Sequence, residues 1–248
     1  MSRGILRIYL GAAPGVGKTS AVLGEAHRRL SRGTDVVVGL IETHGREHTT
    51  EQLEGLEVLH RAEVTHRGVM LTELDVDGVL ARRPEVVVID ELAHTNAPGS
   101  RHAKRWEDVE QLLAAGISVL TTLDVQHLES LTDVVEQITG VRLRRRCPTP
   151  WCAGPIRSSW SACPRRRCAA GGPTATLPSR EGDAAIGDYF RIGNLTALRE
   201  LALLGLADRV DEGLRRYRTE HAIDHVWEAR EPPEAGVSAH SKHFQCRT

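Results

Sequence analysis

The chain has 248 residues, an apolar fraction of 40% and a formal net charge of −1. This length allows one large or two small domains, and the apolar share is sufficient for a hydrophobic core. A near-neutral chain lacks the basic surface that nucleic-acid binding requires, which disfavours a nucleic-acid partner or a nucleic-acid-driven motor. No apolar run is long enough to cross a bilayer and no signal peptide precedes the first predicted strand. We therefore expect a cytoplasmic chain that makes no membrane contact itself.

Apolar strand patterns and helical patterns alternate through residues 1–146. The predicted strands are Ile5–Leu10, Asp35–Ile41, Glu85–Ile89 and Ile117–Leu123. The predicted helices are Thr19–Leu30, Glu51–Leu56, Leu71–Ala81, Lys104–Ala115 and Gln126–Ile138. Continuous apolar strands separated by helices predict an α/β fold, a parallel sheet with helices on both faces. Ligands of such sheets bind beyond the carboxyl ends of the strands.

The segment after the first predicted strand has the pattern of a phosphate-binding loop that leads into a helix. Small residues allow backbone N–H groups to surround phosphate oxygens, a lysine adds charge near the terminal phosphates, and a threonine hydroxyl can ligate Mg²⁺. The usual first glycine is replaced by Ala12, which is tolerable only if its φ stays negative. A glycine-rich turn without a ligand is the plainer alternative. The predicted nucleotide-binding residues are Gly11, Ala12, Ala13, Pro14, Gly15, Val16, Gly17, Lys18, Thr19 and Ser20.

Two carboxylates, Asp90 and Glu91, end the third predicted strand and therefore lie at the carboxyl edge of the sheet. Asp90 is positioned to hold Mg²⁺ directly or through water, and Glu91 to orient or deprotonate an attacking water. We predict Thr19 and Asp90 as magnesium ligands and Glu91 as the candidate catalytic base. A structural role is the alternative, because apolar strands often end in acidic residues.

Further polar residues follow the second and fourth strands, in segments 42–46 and 124–127. We expect both segments to face the same cleft, where they would contact the terminal phosphate or position water; ordinary loop and capping roles are the alternative. Arg101, Lys104 and Arg105 follow the acidic strand and are expected either to approach phosphate or to form a solvated basic patch.

The C-terminal third differs in pattern. Asn194 is a predicted N-cap for a helix from Leu195 to about Tyr217, with an apolar stripe suited to a core or a docking face. From Glu231 the chain becomes polar and loses periodicity, which is typical of a disordered tail.

Four segments together resemble one family, the N-terminal cytoplasmic domain of KdpD, the Kdp-type osmosensitive potassium-channel sensor histidine kinase. They are residues 9–19 (YLGAAPGVGKT), 90–101 (DELAHTN followed after one residue by PGSR), 126–131 (QHLESL) and 189–201 (YFRIGNLTALREL). The resemblance covers roughly residues 1–146 and 183–231.

This resemblance implies a P-loop NTPase-like fold, followed by a C-terminal helical segment, that binds ATP and Mg²⁺. It also implies a regulatory role in a two-component system that controls a potassium pump. The implied partners are the remaining domains of the sensor kinase and its response regulator. No phospho-acceptor motif is present in this sequence, so we expect no autophosphorylation on histidine by this chain and at most a weak ATPase activity. A free-standing P-loop ATPase or small-molecule phosphotransferase is the alternative, although no acceptor site is identifiable.

Residues 147–182 fit neither this family nor a folded domain, because they hold six of the eleven prolines and four of the five cysteines. Family-like codons read one base late would produce triplets such as Cys147-Pro148-Thr149 and Trp151-Cys152-Ala153. We therefore expect an out-of-frame segment that is restored near Asp183, which the coding DNA would test. The alternative is a zinc site, although the Cys-x4-Cys spacing is wider than most structural sites use.

The expected organisation is a P-loop ATP-binding domain of the KdpD type at 1–146, followed by the irregular segment 147–182. A helical extension of the same domain at 183–230 and a disordered tail at 231–248 complete it.

Overall fold

The computed structural model describes residues 2–43, 45–141, 143, 145–148, 191, 193–204, 215 and 219. The chain divides into two units, Met1–Asp211 and Glu212–Thr248. Every element named below belongs to the first unit. The expectations for 149–182 and 231–248, and most of the predicted helix beyond 204, lie outside the described residues.

Strands and helices alternate through the described part of the chain, which agrees with the predicted order in most places. The strands are β1 (Leu6–Gly11), β2 (Val36–Leu40), β3 (Glu57–Val58), β4 (Ala62–His66), β5 (Val69–Glu73), β6 (Val86–Ile89) and β7 (Ser118–Asp124). The helices are α1 (Lys18–Leu30), α2 (Glu47–Glu51), α3 (Val76–Arg82), α4 (Arg105–Ala114), α5 (Thr132–Thr139) and α6 at residues 193–204. Short 3-10 turns occupy Val125–His127 and Glu129–Leu131.

Five strands form one parallel sheet in the order β1-β7-β6-β2-β3. In this order β1 and β6 lie on either side of β7. The candidate phosphate loop follows β1, and the candidate acids follow β6. The predicted α/β fold with a parallel sheet is confirmed.

Helices cover both faces of this sheet, as the nearly uniform apolar strands require. Val86 and Val88 of β6 join a buried cluster with Leu23 of α1, whereas Val87 joins a second cluster with Leu112 of α4. Because successive side chains of β6 point to opposite faces of the sheet, α1 packs on one face and α4 on the other.

The C-terminal helix α6 packs beside the carboxyl edge of the sheet. Leu198 and Ala202 of α6 are fully buried with Val125 and Val135, and Ala12 packs against the same cluster. The helix predicted from Leu195 is thus confirmed over the described residues, and the cluster that it joins packs against the start of the candidate phosphate loop. The prediction of Asn194 as its N-cap was wrong, because the helix already includes Gly193 and the Leu195 N–H donates to the Arg191 carbonyl.

A β-hairpin, β4–β5, replaces the first part of the helix predicted at Leu71–Ala81. Its two-residue turn is Arg67–Gly68, with φ of 50° and 78° respectively, the conformation that a tight hairpin turn favours. Helix α3 starts only at Val76, where the Asp75 carboxylate accepts from the Gly78 N–H at 2.9 Å. The prediction was wrong there because apolar spacing was given more weight than the turn residues.

Two other helix predictions were wrong in extent. Helix α2 ends at Glu51 rather than covering Glu51–Leu56, because Gly55 takes a φ of 79° and Leu56 turns into the core. The helix predicted over Gln126–Ile138 begins at Thr132, and two 3-10 turns precede it.

Candidate functional site

The carboxyl edge of the sheet holds a polar cleft of about 170 Å³. Because the strands are parallel, β1, β7, β6 and β2 all release their following residues on this edge. The cleft is lined by Pro14, Gly15, Lys18, Thr19, Arg46, Asp90, Glu91, Leu92, Ala93, His94, Thr122, Leu123, Asp124, His127 and Arg145. Sequence segments that are far apart in the chain therefore meet at one place.

The loop between β1 and α1 has the local geometry that its glycines permit. Gly15 and Gly17 take φ values of 79° and 87°, and Gly17 precedes α1 without any side-chain cap or first-turn acid. A Cβ on Gly11 would lie 2.6 Å from Cδ of Lys18 and 2.8 Å from Cγ2 of Val16, so a larger residue there would force these side chains to move. Ala12 is not among the residues with positive φ, which meets the condition stated for it.

Lys18 reaches from the start of α1 across to β7. Its Nζ donates to the Ala13 carbonyl at 2.9 Å and to Oδ1 of Asp124 at 2.6 Å. Both charged side chains are mostly shielded from solvent, with exposed fractions of 11% and 15%. The ammonium group is therefore held at the mouth of the loop by an internal anion.

Asp90 is fixed by groups from three strands or helices. The Thr122 hydroxyl on β7 donates to Oδ1, the Glu91 N–H donates to the same oxygen at 3.1 Å, and the Thr19 hydroxyl on α1 donates to Oδ2 at 3.2 Å. Burial raises the pKa of Asp90, with the charge of Glu91 adding to it and the Thr122 hydroxyl opposing it. A carboxylate in such a place is stabilised by a nearby cation. The two predicted magnesium ligands, Thr19 and Asp90, are thus in direct contact.

Glu91 adopts a left-handed backbone conformation, with φ of 53°. Non-glycine residues in this region carry strain, and such residues are frequent at functional sites. Its Oε2 lies 3.7 Å from Nδ1 of His94 and 3.8 Å from a guanidinium nitrogen of Arg145. The candidate base therefore lies in the cleft between the imidazole of His94 and the guanidinium of Arg145.

Behind the acids lies a buried ion pair that sequence reasoning did not anticipate. Arg105, with 1% of its side chain exposed, donates to Oε2 of Glu73 at 2.9 Å and to the Asp90 carbonyl at 3.2 Å. Burial acts to raise the pKa of Glu73, but His94, the Ala97 N–H and Arg105 together hold it below its ordinary value. The base of the hairpin is thereby joined to the end of β6.

The three basic residues after the acidic strand do not line the cleft. Arg101 makes an exposed bidentate pair with Asp77, and Lys104 donates to the Thr95 hydroxyl at 2.7 Å. Arg105 is buried, so neither a phosphate contact nor a solvated patch describes it. Its guanidinium instead forms an ion pair with the buried carboxylate of Glu73.

The segments after the second and fourth strands do reach the cleft in part. Arg46, Asp124 and His127 line it, whereas Glu42 pairs with Arg61 at 3.0 Å and His44 lies outside the described residues. Burial lowers the pKa of His127, and its Nδ1 lies 2.9 Å from the Arg145 carbonyl.

Several residues in the site were not identified from the sequence. Thr122 has a visible signal, since a hydroxyl in the buried middle of a strand needs a partner. Glu73 gave no such signal, because the sequence predicts a helix over Leu71–Ala81, which contains it. Arg145 follows the patterned region and gave no local signal either.

Cys147, the first of the four clustered cysteines, is fully buried in the core and its backbone pairs with His127 and Glu129. Within the described ranges no group of three or more histidines, cysteines or acids is arranged to hold a metal. The other clustered cysteines lie outside those ranges, so the out-of-frame and zinc hypotheses remain predictions.

The fold and cleft define an α/β domain whose polar residues converge at the carboxyl edge of a parallel sheet. A family model described as the osmosensitive K⁺ channel His kinase sensor domain, KdpD, matches residues 2–153. The chain belongs to this family.

Curated relatives agree with this assignment. The sensor protein KdpD of Mycobacterium tuberculosis is 54% identical over 233 residues, which cover 92% of this chain and 27% of that protein. The sensor protein KdpD of Escherichia coli is 48% identical over 92% of this chain and 26% of its own length. A putative sensor protein KdpD of Synechocystis is 40% identical over 90% of this chain and 61% of its own length. The chain thus spans about a quarter of the first two relatives. Of the helices in the described residues, none combines the length and hydropathy of a membrane span.

The buried pair of Glu73 and Arg105 should be far more important for stability than a surface pair. Glu73→Gln keeps the shape but leaves the buried guanidinium without its anion, so we expect a loss of about 3 kcal/mol in the free energy of unfolding. Asp77→Asn, which breaks the exposed pair with Arg101, should cost less than about 1 kcal/mol. Urea denaturation of both variants measures this. Equal losses would contradict the proposed importance of the buried pair.

His94 should make stability depend on pH. The Glu73 carboxylate, helped by Glu91 and opposed by burial and Arg105, raises the pKa of His94 above its ordinary value. The folded state then binds more protons than the unfolded state, so this contribution is complete below the unfolded pKa and disappears as pH rises through the folded pKa.

The difference in unfolding free energy between the parent and His94→Gln should therefore decrease as pH is raised from about 6 to about 8. Denaturation curves at successive pH values measure it. A difference that is constant or increases with pH would exclude this role of His94.

Proposed function

We propose that this chain is a regulatory nucleotide-binding domain, which binds ATP with Mg²⁺ and whose state is read by other domains of a sensor kinase. The observation that carries the proposal is the position of Lys18, which lies at a glycine-shaped loop and next to the Thr19–Asp90 contact. A phosphate-binding loop requires this combination of lysine, hydroxyl and nearby carboxylate.

The residues present fit such a ligand. The loop 11–17 offers backbone N–H groups at an uncapped helix start, Lys18 offers a positive charge, and Thr19 and Asp90 offer two oxygens of the kind that Mg²⁺ prefers. When bound, Mg²⁺ would supply positive charge to the terminal phosphates. Glu91 is suited to accept a proton from water, and Thr122 holds Asp90 in position beside it.

A regulatory role is supported by the packing of α6. Ala12 of the loop and Leu198 and Ala202 of the helix share one buried cluster. A shift of the loop on binding phosphate would therefore reach α6 through this cluster, because close-packed cores transmit displacement. We propose that this contact couples the nucleotide site to the remaining domains.

Family membership supports a place in potassium-responsive two-component signalling. Its curated relatives bear the name sensor protein, and a sensor kinase of such a system acts on a response regulator. We therefore propose that the chain works in the cytoplasm, with the other domains of the kinase and with that regulator as partners.

Replacing Lys18 tests the nucleotide site. Lys18→Ala should abolish detectable binding of the non-hydrolysable imido analogue of ATP in the presence of Mg²⁺, because the charge at the terminal phosphates is lost. Isothermal titration calorimetry measures this binding. Lys104→Ala removes the same charge outside the cleft and should leave the affinity unchanged. If Lys18→Ala bound as tightly as the parent, the loop would not be the nucleotide site.

A second candidate function is ATP hydrolysis or phosphoryl transfer, which the strained backbone of Glu91 beside Asp90 favours. The regulatory proposal predicts tight ATP binding with turnover well below about 1 s⁻¹, a rate typical of phosphotransfer enzymes. Faster turnover that Glu91→Gln suppresses while ATP binding is retained would support the enzyme instead. Release of phosphate from radiolabelled ATP distinguishes the two.

A further inference from the structure

Arg46 is the cation in the cleft whose role the proposed nucleotide site does not yet explain. Three of the four other basic groups that line the cleft lie near internal acids: Lys18 contacts Asp124, Arg145 lies 3.8 Å from Glu91, and His94 contacts Glu73. The fourth, His127, has its Nδ1 2.9 Å from the Arg145 carbonyl. Among the residues that the structure describes, no carboxylate pairs with the Arg46 guanidinium, and its Nε is buried without a hydrogen-bond partner.

Of the neighbouring acids, Glu47 is exposed at the first position of α2, and Glu42 is already engaged. Glu42 is held at 3.0 Å by Arg61, which also donates to the Ile41 carbonyl. A cationic group in a cleft whose own acids are occupied elsewhere is expected to take its counter-charge from a ligand, because the buried Nε of Arg46 lacks a hydrogen-bond partner and an unsatisfied buried donor is costly.

The backbone of Arg46 is fixed, which makes the side chain a defined feature of the cleft. Its N–H donates to the Thr43 carbonyl at 2.9 Å, and its carbonyl accepts from the N–H groups of Thr49 and Thr50 at 3.1 and 3.2 Å. The side chain therefore extends from the anchored start of α2 into the cleft that Lys18 and Asp90 also line.

The position of Arg46 in the sheet order indicates which part of a nucleotide it would meet. The loop that follows β1 would surround the inner phosphates, whereas Arg46 follows β2, which lies next to β6 and its acids on the far side of β7. Because Mg²⁺ at Asp90 would link the last two phosphates, the terminal phosphate belongs on the Asp90 side of the cleft.

We propose that Arg46 binds the γ-phosphate and makes the domain distinguish ATP from ADP. This inference rests on the proposed nucleotide site and adds a specificity-determining residue to it. Arginine suits the task, since its planar guanidinium can donate two parallel hydrogen bonds to a phosphate. A domain whose state depends on whether ATP or ADP is bound needs a contact to the γ-phosphate. The loop alone cannot distinguish the two nucleotides, because both carry the inner phosphates that it would bind.

The test compares two affinities in the full chain. Calorimetry with Mg²⁺ measures the dissociation constants of ADP and of the imido analogue of ATP. Arg46→Ala should weaken the analogue about tenfold or more, since a charge-assisted hydrogen bond is lost, and should change ADP affinity less than about twofold. Arg32→Ala removes the same charge beyond the opposite end of α1 and should alter neither constant.

Each outcome bears on the inference. Equal weakening of both nucleotides, or no weakening of either, would overturn it while leaving the nucleotide site intact. If the parent chain bound neither nucleotide, the proposed function itself would fail, which is a separate result. Arg46→Gln, which keeps the length of the side chain, serves as a second variant should Arg46→Ala unfold, and thermal unfolding of each variant checks that the fold is retained.

Discussion

One buried carboxylate, that of Asp90, holds the candidate site together. Hydroxyl groups from α1 and β7 and a backbone N–H all donate to it, so three separately folded segments converge on two oxygen atoms. An ionised carboxylate surrounded by apolar strands would be costly without such donors. These hydrogen bonds offset part of the free-energy cost of burying the carboxylate. They also fix its orientation, which is suited to holding a cation. The parallel sheet makes this possible, because it delivers Thr122 and Asp90 to the same edge on adjacent strands.

A second layer of charge supports that geometry from behind. Arg105 contacts both the Asp90 carbonyl and the Glu73 carboxylate, and Glu73 in turn contacts His94 and the Ala97 N–H. The hairpin that ends at Glu73 is therefore not an independent appendage, since its last residue is bonded to the loop that follows the acids. A buried pair of this kind strongly penalises any arrangement in which one partner is displaced. It restricts the β6 end, and with it the backbone of Glu91, to one position.

Much of this architecture was predictable from sequence and part was not. The strands β2 and β6 are apolar throughout, so their burial on both faces and their parallel pairing followed from pattern alone. The loop residues 11–20 and the acids Asp90 and Glu91 were visible because each lies directly after a strand. The hairpin was missed since its strands are short and largely exposed, and their pattern resembled a helix. The sequence predicts Arg105 as part of a basic group with Arg101 and Lys104, whereas its burial depends on a carboxylate that is distant in the chain, Glu73.

The electrostatics of the cleft bear on how a ligand would be sensed. Lys18 is bonded to Asp124 in the structure, so an incoming phosphate would exchange one anionic partner for another rather than meet an isolated charge. Such an exchange would weaken the net affinity, because the pair of Lys18 and Asp124 would have to separate, and it would link occupancy of the loop to the position of Asp124 at the end of β7. The chain continues from Asp124 directly into Val125, which is buried against Leu198 of α6. The end of β7 and the C-terminal helix thus meet through one buried cluster, against which Ala12 of the loop also packs.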